Sequence, residues 1–133
     1  SKMDRFDYTA AQALIADRKG PCVSVFLTTD PTRPGSEEDK IRLKNLAAEA
    51  ERQLSGHWMR SPEAREFVEP IHKVADDLEL WEQRRNGLAI FAAAGFLECF
   101  RVVTPLVESV AVANRFRLRP LLPLLERRIR WPT

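Results

Sequence analysis

The sequence predicts an α+β fold: a two-layer sandwich with a mixed or antiparallel sheet of about four to five strands and about three to four helices. Two short apolar runs, one at 22–28 that is rich in β-branched residues and one at 87–92, have strand length and no helical period. Between them lies an apolar stripe of helical spacing that runs to Leu54. The order α, β, α, α, β, β, β and a short terminal helix is neither βαβ alternation nor strict segregation. A length of 133 residues suits one core, so residues 1–133 are read as a single domain.

Tyr8 to Asp17 carries Ala11, Leu14 and Ile15 on one helical side, with Thr9 as the N-cap, and Lys19-Gly20-Pro21 ends it. Cys22 to Thr28 is apolar on both faces and reads as a covered strand. Asp30 to Ser36 holds two prolines and a glycine and must be a loop. Ser36 then caps a helix with Glu37 and Glu38 near its positive end. Leu43, Leu46, Ala47, Ala50 and Leu54 are its buried stripe. Ser61 as N-cap and Pro62 at the first position open the next helix, whose face continues to Leu78 and Trp81. Pro70 inside it predicts a kink or a restart. Gly87 to Ala92 reads as a central strand, Ala94-Gly95 as a turn, and Phe96 to Val103 as the returning hairpin partner. Ser109 to Ala113 is another strand, and residues 120–125 are a short apolar helix.

Composition excludes more than it assigns. Charged residues make up 30% and hydrophobic ones 44%, with no apolar run of the ~20 residues that span a bilayer. No signal peptide pattern opens the chain, so the cytoplasm is the expected compartment. Cys22 and Cys99 read as buried thiols, and His57 and His72 are isolated, so no metal site and no cofactor are expected. Asp76, Asp77, Glu79 and Glu82 form a solvated acidic face without a nucleophile or base beside them. No phosphate-binding loop is present, and an enzyme is not expected.

The net charge of +2 points nowhere by itself, but its distribution does. Residues 115–130 hold Arg115, Arg117, Arg119, Arg127, Arg128 and Arg130 against Glu126 alone. Strand alternation would put Arg115, Arg117 and Arg119 on one face and Phe116 and Leu118 on the other. That face could contact RNA, pair with acids of a further domain, or guard a sheet edge. Lys40, Arg42 and Lys44 could also meet RNA phosphates, or form a solvated helix face with a Glu38–Arg42 pair at i, i+4. Trp81 could stack on a base, or end the apolar stripe and pack on the sheet. Leu121, Leu122, Leu124 and Leu125 either fold back on the sheet or meet a second subunit or a missing domain.

Several segments in order resemble one family. Pro21 to Leu27 followed by Ile41-Arg42-Leu43-Lys44-Asn45-Leu46, then Trp81-Glu82-Gln83 with Asn86-Gly87-Leu88-Ala89-Ile90-Phe91, then Arg115 to Leu125, are similar to the N-terminal domain of bacterial proteins related to the archaeo-eukaryotic release factors and Pelota. The resemblance covers about residues 20–125. It implies a module that contacts ribosome or RNA within a longer, three-domain protein whose central and C-terminal domains are absent here. The resemblance also implies a codon-reading Asn-Ile-Lys-Ser motif, but its positions fall on Glu38, Asp39, Lys40 and Ile41, where only Lys40 agrees in type. Two carboxylates there would repel a phosphate backbone. The family's catalytic Gly-Gly-Gln does not occur in the chain. The expectation is therefore a non-catalytic, translation-associated module. The alternative is a protein-interaction or dimerisation domain that binds no RNA. No membrane partner is expected.

Overall fold

The computed structural model describes residues 5–128. Helix α1 (Tyr8–Ile15) precedes strand β1 (Cys22–Thr28). Helices α2 (Glu37–Leu54), α3 (Ser61–Val74) and α4 (Leu78–Trp81) follow. Strands β2 (Gly87–Ala93), β3 (Phe96–Val102) and β4 (Ser109–Ala113) complete the sheet, and a 3-10 turn (Arg119–Leu121) leads into α5 (Leu122–Arg128). The class is α+β, and every strand pairing is antiparallel in the order β3-β2-β1-β4.

The pleat of β1 and β2 sorts their side chains into separate cores. Val23, Val25, Leu27, Leu88 and Ile90 join Leu43, Leu54, Val68 and Ile71 from α2 and α3 on one face. On the other face Phe26, Phe91 and Phe100 meet Leu14 of α1, Phe116, Leu121 and Leu125. The sheet is thus covered on both sides, and the second side carries a thin third layer beyond the two that were expected. Both central strands are buried throughout except for Thr28. That explains why their sequences are apolar at successive positions, and not at alternate ones.

Local chemistry sets the boundaries. Asp7, not Thr9, caps α1, accepting from the Ala10 N–H at 2.9 Å. Ser36 caps α2 as expected. Arg60 rather than Ser61 stands at the start of α3, where the Glu63 carboxylate accepts from the Arg60 N–H at 3.0 Å. Helix α3 runs unbroken from Ser61 to Val74 through Pro70. Pro70 is exposed, so the carbonyl that loses its donor can turn to water. Asp77 belongs less to a solvated face than to the chain itself, since it caps α4 at the Leu80 N–H.

Candidate nucleic-acid interface

Residues 114–118 are not a strand. They leave β4 at Ala113, which pairs with Cys22 at the start of β1, and no further ladder partner follows. A side chain takes over: the Arg117 N–H donates to the Oγ of buried Ser24 at 2.9 Å. Phe116 turns inward, with its ring 5.3 Å from Phe91 and 5.7 Å from Phe96. Pro120 has no N–H to extend a ladder, and the chain closes into a 3-10 turn through Leu121 N–H to Leu118 C=O at 2.9 Å. The expected strand is therefore replaced by an irregular segment pinned at Ser24 and Phe116. Alternating exposure survives, because Phe116 is buried and Leu118 half-buried while Arg115, Arg117 and Arg119 are exposed.

These arginines differ in their surroundings. Arg115 lies 3.7 Å from the exposed Asp17 carboxylate, a contact weakened by water and salt. Among the described residues, no acid stands within ion-pair distance of Arg117 or Arg119. Of the remaining cluster, Arg130 and the side chains of Glu126, Arg127 and Arg128 lie outside the described residues.

The basic residues of α2 belong to another end of the molecule. Arg42 does not pair with Glu38. It forms a charge-assisted hydrogen bond with the buried Asp39 carboxylate and donates to the Thr28 C=O at 3.1 Å. Asp39 also accepts from the Asp30 N–H at 3.0 Å, so the pair fastens the loop between β1 and α2. Glu38 faces Arg33 instead, at 3.7 Å. Lys44 is exposed and Lys40 half-buried. Arg42 is thus committed at the Thr28 end of β1, whereas Arg115 follows the residue paired with Cys22 at the opposite end. The structure does not bring these two basic groups together.

Packing decides two further alternatives. Trp81 is 1% exposed and donates from Nε1 to the Val74 C=O at 3.0 Å, so it is a core residue and no base can stack on it. Leu121 and Leu125 fold back into the second core, Leu124 packs against it half-buried, and only Leu122 is exposed. The apolar C-terminal surface expected as an interface is therefore mostly consumed within the chain.

Sequence reading missed three supporting groups. Ser24 is one; its signal was a polar residue in a run otherwise buried on both faces. Arg18 is another: its guanidinium sits 3.9 Å above the Phe96 ring and donates to the Ala13 C=O at 2.8 Å, covering the aromatic cluster beneath the arginine segment. The third is Arg101, which is buried over Trp81 and donates to the Gln83 and Arg85 carbonyls at 3.0 and 2.8 Å. Burial lowers its pKa to about 10, against the raising pull of Asp39. Burial also raises the Cys22 thiol, with Arg18 opposing.

Among the described residues, no cluster of acids, histidines and cysteines could hold a metal ion. No helix among them is long and apolar enough to cross a membrane. No protein-family model matches the chain, and no curated protein is similar to it.

Proposed function

We propose that this chain is a non-catalytic module that contacts ribosomal or other RNA through Arg115, Arg117 and Arg119, as part of a release-factor-like protein acting in the cytoplasm. One observation carries the reading. Three guanidinium groups project from a short segment whose backbone is held to the sheet by Ser24 and Phe116. A pinned backbone presents charge to a phosphate chain with little ordering cost, and Arg can grip phosphate oxygens bidentately. Asp17 tempers only the first of the three. Lys40 and Lys44 are at most secondary contacts, and Arg42 is occupied by Asp39.

The test is binding to a labelled structured RNA over a salt series. Affinity falls steeply with salt, and Arg117→Glu weakens binding by about tenfold while reducing the salt slope by about one or more. Affinity that is flat between low and high salt, or unchanged in the variant, would remove the proposal.

A further inference from the structure

Both edges of the sheet are open among the described residues, but they are not equally guarded. Strand β3 carries Glu98 and Arg101 within its length, and charged side chains are a common defence of an edge. Strand β4 reads Ser109-Val110-Ala111-Val112-Ala113, with no charge, no proline and no bulge against β1. Its residues are half-buried up to Ala113, and among the described residues no backbone hydrogen bond from outside the ladder covers its outer edge. Such an edge is a template for another strand.

We propose that β4 pairs antiparallel with β4 of a second copy of this chain, about a two-fold axis through Ala111. A two-fold axis normal to the sheet keeps each face on its own side, so residues of the same parity must meet. Centring on Ala111 places Val110 opposite Val112 of the second copy, twice over. Both valines already pack on the first core and are only partly covered. Cross-strand pairs of β-branched residues stabilise an antiparallel sheet. Ser109 meets Ala113, and the two Ala111 residues face each other with nothing to clash. Charge is complementary at both ends, since Glu108, one residue before β4 in one copy, comes near the end of β4 in the other, which Arg115 follows by two residues. The product is a continuous sheet ordered β3-β2-β1-β4-β4-β1-β2-β3. The contact is short, so the dimer is weak, with a dissociation constant in roughly the micromolar range.

Sedimentation velocity across a wide concentration series tests this. The native chain passes from monomer to dimer. Ala111→Lys puts like charges face to face and weakens the dimer by at least about tenfold. An equimolar mixture of Ala111→Lys and Ala111→Glu restores it. Ala111→Cys is conservative enough to keep the fold and forms an intermolecular disulfide on mild oxidation, because opposed residues have Cα atoms about 4.5–5.5 Å apart. The native thiols Cys22 and Cys99 are buried and do not compete. A native chain that stays monomeric throughout overturns the proposal, as does a dimer that ignores Ala111→Lys and yields no disulfide at position 111. A monomer whose β4 edge instead takes up a strand-forming peptide also overturns it.

Discussion

The backbone N–H of Arg117 donates to the hydroxyl of Ser24 at 2.9 Å, although 93 residues separate them in the chain. Ser24 is fully buried in the middle of the sheet, and Arg117 carries an exposed charge. The bond therefore couples the most protected part of the molecule to the segment proposed to contact RNA. It also substitutes for the ladder that ends at Ala113.

Ser24→Ala removes this acceptor and leaves a partly buried N–H without one. A loss of about 1–2 kcal/mol in unfolding free energy is expected, read by urea denaturation. Amide exchange at Arg117 should quicken more than exchange in β2. Equal protection at Arg117 in the variant and the native chain would show that the bond is not what holds the segment.

Trp81 supplies a second test, because its polar and apolar contributions can be separated. Trp81→Phe forfeits the bond from Nε1 to the Val74 carbonyl but keeps most of the packing, for a cost of about 1–2 kcal/mol. Trp81→Ala opens a cavity beneath Arg101 and costs about 3–5 kcal/mol. Neither change should alter RNA affinity in chains that remain folded. A Trp81→Phe variant that folds normally and loses RNA binding would restore Trp81 as a stacking residue.

Two glycines make opposite demands. At Gly87 an added Cβ would sit 2.4 Å from the Thr104 carbonyl oxygen and 2.7 Å from Val102 Cγ2, so Gly87→Ala must push the β3–β4 connection off the sheet. A loss of about 1–3 kcal/mol is expected. Gly95 turns the β2–β3 hairpin at φ +68° with open space around it. Gly95→Ala meets only backbone strain there, about 1 kcal/mol. Melting temperatures of the two variants should therefore fall in the order Gly95→Ala above Gly87→Ala.

Arg101 makes a prediction in pH. Its folded pKa, about 10, lies below the ordinary guanidinium value because the charged form is buried. The unfolded chain thus holds this proton more firmly than the folded one. The resulting penalty is fully present below pH 10 and is relieved as pH rises through the folded value toward the unfolded one. Arg101 should contribute no slope to stability between pH 6 and 9 and a rising one above about pH 10. Arg101→Met abolishes that alkaline rise, measured by denaturant titration, and loosens residues 83–85, whose carbonyls lose their donor.

The elements of this fold were legible because each rests on local chemistry. Ser36 and the stripe from Leu43 to Leu54 define α2 without help from any distant residue. Apart from Ser24 and Thr28, the runs at Cys22 and Gly87 are apolar at successive positions, which only a strand covered on both faces requires. The surface proposed to meet RNA was legible in part. Alternation marked Phe116 as inward and its arginine neighbours as outward, and that pattern holds even though the strand does not.

Tertiary structure alone decided the rest, since these outcomes depend on partners far away in the chain. Spacing offered Glu38 to Arg42, but buried Asp39 took it. Spacing left Trp81 open to a base or to the core, and Val74 and Arg101 closed around it. The leucines at 121 and 125 became core only because β1 and β2 present Phe26 and Phe91 on the same side. By itself, the sequence determined the helices and the four strands of the sheet, though not the irregular path of residues 114–118, and which residues seek burial, because propensity, capping and periodicity act over a few residues. Which arginines stay free, and which apolar groups remain for a partner, was decided by the sheet order, which brings Ser24, Phe91 and Arg117 together from across the chain.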